Sequence, residues 1–354
     1  MQKDFHHTVT YVISRLAGFK HEEANTIAYA AQYVDDATNS GTIQFKNGAM
    51  YSRISSAHGT YDVHHHINQH ENHLVWVPFH FLPGNDGKMY DEDVNGKFIN
   101  RLVCKPDSPI SRDMLDMCIR DAHKKYALHR LGITMHVYAD TFAHKGFTGK
   151  IHEVNKVYNL KLENEDLNYL DEKKYKALTE RFPMGHGAAL ECPDKPYLRW
   201  SYKNGFGEEI TRDNLSDFMH AVNVLHAQLL RYRYELDNDA DMPELKDTDL
   251  QQIEANFKNF TNPKGDERHE MWIESIANGD FSFGPQELIY IPKGEGSWKD
   301  TAIKQKSFFD RLDDRFDYQD DFLNSDWKLF HDALQEHRLT IIHDVLPKYG
   351  ICVS

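Results

Sequence analysis

Three residues with helical spacing, His136, Asp140 and His144, carry the clearest chemical signal in this sequence. Side chains four positions apart lie on the same face of an α-helix, so these three form one stripe. The segments between them, VYA and TFA, are mostly apolar, which predicts that the helix is buried. A buried carboxylate without a partner is costly, and imidazole nitrogen and carboxylate oxygen are ligands of zinc and similar ions. The stripe therefore predicts a metal site, for one ion or for two bridged ions.

A complete metal site needs ligands from elsewhere in the chain, and the candidates are polar residues within apolar helices or tight turns. Asp35 and Asp36 end a predicted alanine-rich helix over about 21–36, where an acidic side chain opposes the helix dipole and requires a nearby cation. Either carboxylate could also orient an attacking water molecule or act as general base. The other candidate ligands are the histidines His6, His7, His58, His80 and His186 and the carboxylates Glu191 and Asp194.

The composition of the chain indicates a globular protein rich in metal-ligand residues. Of the 354 residues 40% are hydrophobic, enough to bury a large core, and fifteen of the 22 histidines fall within the first 155 positions. The four cysteines form no CxxC pair, which favours reduced thiols over a disulfide framework or a cysteine zinc site. The formal net charge is −14, so the overall field repels a phosphate backbone and excludes a nucleic acid polymer as the expected partner.

The elements that must position the candidate ligands are predicted to be mainly helical. A polar, glycine-containing segment around TIQFKNGAMYSRI predicts a loop or a short hairpin, and the stretch HHHINQHENH predicts a solvated loop. Helices are expected over about 7–19, 21–36, 128–143 and 213–235, with an acidic helical region over 155–182.

We expect two helical parts in this chain. Residues 1–235 contain all the candidate ligands and form a metal-binding core domain, and residues 236–354 form a C-terminal extension packed on that core. No apolar run approaches the roughly 18 residues that a membrane-spanning helix needs, and the chain start lacks a basic-then-apolar leader. We therefore expect a cytoplasmic protein, with export by a route that needs no cleavable signal as the alternative.

In order and type, the candidate ligands resemble those of the zinc-dependent phospholipase C and S1/P1 nuclease superfamily. The resemblance implies a mainly α, multi-helix bundle with long loops that holds a cluster of two or three ions, zinc first and Mn²⁺ or Fe²⁺ as alternatives. The matching positions are His6 or His7, Asp35 or Asp36, His58, His136 with Asp140, His144, and His186 with Glu191 or Asp194.

The chain departs from that superfamily at three points, one of which is that only three residues separate Asp140 from His144, fewer than in the phospholipase pattern. Secreted members use an amino-terminal tryptophan as a ligand, which this chain lacks, and the final HxxxE pattern is not met because residue 190 is Leu190. Because of these departures, a site for two ions is an alternative to a site for three ions. The strings QYVDD, PFHFLPG and HVYADTFAHKGFTG resemble more closely an uncharacterised bacterial family, over roughly residues 1–200, which names no substrate.

A site that holds ions in this way predicts an enzyme that hydrolyses a phosphoester. Because the net charge is acidic, we expect a lipid headgroup or a small phosphoester as the substrate. One alternative is a metal-stabilised binding or effector protein that contains no catalytic site and engages a protein partner through its acidic last third, DRLDDRFDYQDDF. A second alternative is an HD-type phosphohydrolase that uses the pairs His331–Asp332 and His343–Asp344.

Overall fold

The structure is a computed structural model that describes residues 1–58, 69–94, 96–163, 169–237, 242–304 and 315–352. As the sequence predicts, most of these residues are helical. The helices are α1 (Thr10–Leu16), α2 (His21–Asp36), α3 (Gln69–Phe79), α4 (Ile99–Leu102), α5 (Pro109–Arg120), α6 (Ala127–Ala143), α7 (Tyr169–Arg181), α8 (Asn214–Tyr234), α9 (Asp247–Asn259), α10 (Gly265–Asn278), α11 (Trp298–Ile303), α12 (Asp326–Thr340) and α13 (Leu346–Lys348).

Two small antiparallel sheets accompany the helices. Strands β1 (Gly41–Gln44) and β2 (Met50–Arg53) form a hairpin within the TIQFKNGAMYSRI segment. Strands β3 (Val157–Leu162), β4 (Arg199–Asn204) and β5 (Glu209–Asp213) form the second sheet in that order.

Strand β3 corrects the prediction of a helical region over 155–182, since α7 is the one α-helix among the described residues of that range. The side chains of Val157 and Leu160 are buried in the same hydrophobic cluster as Trp200 and Tyr202 of β4. Packing against these two aromatic residues therefore outweighs the helix-forming composition of the segment, as tertiary contacts commonly do.

Helix α6 runs through the centre of the fold and packs closely on α2. Its residues from His129 to Ala143 are all buried. A Cβ atom at Gly132 would lie 2.3 Å from the carbonyl oxygen of Ile27 and 2.7 Å from the Cβ of Ala30. The two helices therefore approach backbone to backbone, and Asp35 at the end of α2 comes beside His136 of α6.

Replacing Gly132 by alanine is expected to lower the free energy of unfolding by about 1–3 kcal/mol, because the added methyl group forces the two helices apart. The cost of separating the helices is larger than the gain of roughly 1 kcal/mol that alanine provides over glycine in a helix. That gain arises because alanine loses less conformational entropy than glycine on folding. Gly187→Ala is the matched control, since its Cβ would meet no atom within 4 Å. Urea denaturation of both variants measures the effect, and a Gly132→Ala variant as stable as wild type would contradict the close packing.

The C-terminal helices share a core with the N-terminal ones. Helix α10 contacts the π-helical turn Asp4–Val9 that leads into α1, and α12 contacts α6. Phe5 and Trp272 belong to one hydrophobic cluster. Residues from both sides of position 235 thus pack together, and the division into two domains remains a prediction.

Two of the segments singled out in the sequence lie partly outside the described residues. Residues 59–68 include the first half of the HHHINQHENH stretch, and the second half lies in α3, which corrects the prediction of a loop there. Residues 305–314 include the first part of the acidic segment proposed to engage a partner. The remainder of that segment packs on the hairpin, where the ring centroids of Phe45 and Phe322 lie 4.9 Å apart. Within the described part of the chain, no helix has both the length and the apolar character needed to cross a membrane.

His337 on α12 makes the stability of the fold sensitive to acid. Its Nε2 donates a hydrogen bond to the carbonyl oxygen of Pro78 at 3.1 Å, and its ring stacks on Phe79. Burial, and then Arg130, lower its pKa from 6.5 to about 3. Below about pH 6.5 the unfolded chain binds a proton at this histidine and the folded chain does not. The stability that depends on neutral His337 is therefore present above that pH and falls by about 1.4 kcal/mol for each pH unit below it.

Lowering the pH from about 7.5 to about 5 is expected to reduce the free energy of unfolding of the wild type by roughly 2 kcal/mol more than that of His337→Gln. Glutamine keeps a donor for the Pro78 carbonyl but does not titrate. Urea denaturation at the two pH values measures the difference. An identical pH dependence in both proteins would show that His337 binds its proton normally in the folded chain.

Candidate metal centre

The stripe on α6 forms the centre of the candidate site. His136 is fully buried and Asp140 is 1% exposed, and His144 follows directly after the last residue of the helix. Oδ2 of Asp140 lies 3.4 Å from Nε2 of His136 and 3.7 Å from Nδ1 of His144. The structure thus brings all three residues together around the carboxylate of Asp140.

Five further side chains from other segments join this cluster. Nε2 of His6, in the π-helical turn, lies 3.2 Å from Oδ1 of Asp140, and Nδ1 of His80, just after α3, lies 3.3 Å from Oδ2. Oδ1 of Asp35 lies 3.8 Å from Nδ1 of His80. Nε2 of His186 lies 3.8 Å from Oδ2 of Asp194, and the rings of His186 and His144 are 4.7 Å apart.

Three groups of ligand-type atoms result, and the atoms within each group lie within 4.8 Å of one another. Two of the groups share His136, and the third shares no residue with them. The groups are His6, His136 and Asp140; Asp35, His80 and His136; and His144, His186 and Asp194.

Three of the five histidines of the cluster are oriented by backbone carbonyl groups. Nδ1 of His144 donates to the carbonyl oxygen of His80 at 2.8 Å, and Nδ1 of His186 donates to that of Leu190 at 2.9 Å. Nε2 of His80 donates to the carbonyl oxygen of Ser56 at 2.9 Å. Each bond directs the second ring nitrogen toward the cluster, as outer partners of metal-binding histidines commonly do.

The ring nitrogens of His6 lack hydrogen-bond partners among the described residues. Both ring nitrogens of His6 are buried and make no hydrogen bond within the described part of the chain, although Nε2 lies near Asp140. Its ring stacks on that of His136 with centroids 3.8 Å apart. Burial, and then His136, hold the pKa of His6 well below its usual value, so the ring is neutral. A neutral buried imidazole without a hydrogen bond is costly, and a coordinated ion would satisfy it.

The buried carboxylates of the cluster attract positive charge. Burial raises the pKa of Asp140, but His144 and the amino group of Met1 hold it well below its usual value. That amino group lies 2.6 Å from Oδ1 of Asp140 and 3.2 Å from Oδ1 of Asp194. Burial lowers the pKa of the Met1 amino group, but these two carboxylates outweigh it and raise the pKa to about 11.

The carboxylates of the cluster also act on His80. Burial lowers its pKa, but a hydrogen bond to Asp140 and the charges of Asp35 and Asp140 outweigh that effect and raise it. The Met1 amino group thus places a positive charge among the carboxylates, where bound cations would provide the same compensation. The donor set therefore fits metal ions.

Not all the candidate ligands reach the cluster. His7 points away from its neighbour His6, and its Nδ1 lies 2.9 Å from Nε2 of His269 on α10. Asp36 likewise points away from Asp35 and accepts a hydrogen bond from the hydroxyl group of Tyr290 at 2.6 Å. Consecutive residues of a helical turn face different directions, so only one member of each pair can contribute.

His80 takes the position for which the sequence favours His58. His58 lines the neighbouring cavity, where its ring lies 5.8 Å from that of Trp76, and it belongs to none of the three ligand groups found among the described residues. Its neighbour Ser56 contributes instead by accepting the hydrogen bond from His80. Near His186, the nearby carboxylate is that of Asp194, and Glu191 is in none of these groups.

The cluster opens on one side into a cavity of about 810 Å³. The side chain of Asp35 is 35% exposed and that of His186 is 21% exposed, so two candidate ligands face the cavity. Arg181 lies at the rim. The apolar side chains that line the cavity are those of Ala57, Trp76, Phe81, Leu178, Phe182 and Met184. Structural metal sites are closed, whereas catalytic sites keep an open position, and this cluster has an open side.

Comparison with known proteins identifies a family but no activity. The model of the Family of unknown function (DUF6765) matches residues 1–345, nearly the whole chain. No curated protein and no solved structure matches this chain.

Proposed function

The chain belongs to the Family of unknown function (DUF6765), and we propose that it is a metal-dependent hydrolase that acts on a phosphoester. The observation that carries the proposal is the open side of the cluster. Buried nitrogen and oxygen atoms from several segments converge around Asp140, and they border a cavity large enough for a small organic substrate.

The nitrogen and oxygen donor set fits zinc first, with Mn²⁺ or Fe²⁺ as alternatives, and two or three ions. Bound ions of this kind lower the pKa of a water molecule to near 7 and stabilise charge on the attacking and leaving oxygens of a phosphoester. The proposed ligands are those of the three groups, namely His6, Asp35, His80, His136, Asp140, His144, His186 and Asp194. Their order resembles that of the phospholipase C and S1/P1 nuclease superfamily, with His80 in place of His58.

We assign to Asp35 the role of orienting the attacking water molecule and accepting its proton. Its Oδ1 faces His80 and His136, and its Oδ2 accepts a hydrogen bond from Nε2 of Gln32 at 3.5 Å. Burial raises the pKa of Asp35, and His136 and His80 oppose that effect without cancelling it. A partly exposed carboxylate with a raised pKa, next to the cavity, is suited to orient water and to accept its proton.

The cavity favours a small phosphoester or a lipid headgroup over a nucleic acid polymer. Its apolar wall suits the carbon part of an ester, and Arg181 at the rim suits a phosphate oxygen. The net charge of −14 disfavours a polyanion. Neither His331–Asp332 nor His343–Asp344 belongs to a ligand group among the described residues, so no contact supports the HD-type alternative.

The test is hydrolysis of bis(p-nitrophenyl) phosphate and p-nitrophenyl phosphate by protein purified without a histidine tag. We expect hydrolysis that is lost on dialysis against a chelator and restored by added zinc, manganese or iron. Protein that holds metal but hydrolyses no phosphoester in a wider screen would favour the alternative of a metal-stabilised binding protein.

A further inference from the structure

A second cavity, separate from the metal cluster, contains several cations. It encloses about 340 Å³ and lies between the end of α2, strand β2, the segment 293–304 and α12. Arg53, Lys293, Lys299 and Lys304 line it, against the two acidic residues Asp36 and Asp300. In a chain with a net charge of −14, this local excess of positive charge is unexpected and needs a physical reason.

The acidic residues of the cavity do not neutralise these cations. No ion pair joins Arg53, Lys293 or Lys299 to an acidic residue within the described ranges of the chain. The carboxylate of Asp36 is engaged by Tyr290 at 2.6 Å and by Gln32 at 3.3 Å. Oδ2 of Asp300 accepts a hydrogen bond from the backbone nitrogen of Gly296 at 3.0 Å. Like charges held together in this way repel one another, and a bound anion would relieve the repulsion.

Two buried nitrogen atoms at the cavity also lack partners. Nε of Arg53 is buried without a hydrogen bond in the described structure, and so is Nδ1 of His331, whose side chain is 2% exposed. Burial, with Arg53 and then Lys299 as further causes, lowers the pKa of His331 to about 3, which places these two cations near its ring. Both side chains line the cavity, so its wall contains unsatisfied polar atoms beside the cations.

Part of the remaining wall of the cavity is aromatic. Tyr33, Phe316 and Trp327 line it, and the guanidinium carbon of Arg53 lies 6.0 Å from the ring centroid of Trp327. Aromatic rings beside a cation offer a surface for a planar ring of a ligand, while the cation binds an anionic group. We propose that this cavity binds a small soluble ligand in which a phosphate or phosphonate group is attached to a ring, with Arg53 and Lys299 as the main anion contacts.

The test is isothermal titration calorimetry of the protein as purified with phenylphosphonate, whose P–C bond a phosphoesterase does not cleave. We expect saturable binding that weakens at least about tenfold in Arg53→Gln and in Lys299→Gln, because each variant removes a charge-assisted hydrogen bond. Lys258→Gln is the control, since Lys258 is exposed and pairs with Glu254 on α9. Benzoate, a planar carboxylate with the same ring, is expected to bind at least about tenfold more weakly.

Three outcomes would overturn the proposal: no saturable binding by the wild type, equal affinity in the wild type and both cavity variants, or benzoate bound as tightly as phenylphosphonate. Binding at the metal cluster is distinguished because it survives in Arg53→Gln and Lys299→Gln. Metal content measured in each variant is expected to remain unchanged, so failure of this site and failure of the proposed hydrolase are separate results.

Discussion

Replacing Asp140 by asparagine is expected to lower kcat/KM for phosphoester hydrolysis by about 10³-fold or more, because stabilisation by the bound ions supplies several kcal/mol of the barrier reduction. The carboxylate of Asp140 contacts His6, His80, His136 and His144, so loss of its charge removes the centre of the cluster. Asparagine preserves the shape of the side chain. The measurement is the steady-state rate in the presence of added metal.

Asp266→Asn is the control for this variant, since Asp266 is a surface carboxylate whose side chain is 79% exposed. It is expected to keep the wild-type rate. Circular dichroism of Asp140→Asn checks that the helices remain folded. A folded Asp140→Asn protein with the wild-type rate would contradict the assignment of Asp140 to the catalytic site.

Substitutions of the adjacent residues Asp35 and Asp36 are expected to have very different effects on the rate of hydrolysis. Asp35→Asn should lower kcat/KM by about 10²-fold or more, the effect of losing a positioned base or water-orienting group. Asp36→Asn should stay within about threefold of wild type, because Asp36 is in none of the ligand groups among the described residues and the amide oxygen of asparagine can accept the hydrogen bonds from Tyr290 and Gln32. The pH dependence of kcat separates the two roles, since only Asp35→Asn should alter its acidic limb. Equal losses in both variants would place the catalytic carboxylate elsewhere.

The class of fold could be predicted from the sequence, as could the centre of the candidate site. Periodic apolar residues indicated the helical character of α2, α6 and α8, and the four-residue spacing of His136, Asp140 and His144 required a common helix face. The membership in an uncharacterised family is also confirmed. The specific likeness to phospholipase C and P1 nuclease remains a prediction, since no solved structure matches.

The choice between neighbouring candidates could not be made from the sequence, because it depends on the direction of single side chains. His6 and His7 lie in a π-helical turn, whose phase the 3.6-residue period does not describe, and Asp35 and Asp36 lie at a helix end. His80 follows a proline within α3, and the apolar run around it gives no periodic signal that would favour it over His58. Long-range packing decides these cases, through contacts such as the bond from His80 to the carbonyl group of Ser56.

The measurement that tests the central claim most directly is elemental analysis of wild-type protein purified without a histidine tag, compared with Asp140→Asn. The cluster predicts two or more equivalents of zinc, manganese or iron in the wild type, and a clear fall in the variant. A wild-type protein that binds no metal, even after reconstitution with each of the three ions, would contradict the metal centre and with it the proposed hydrolase.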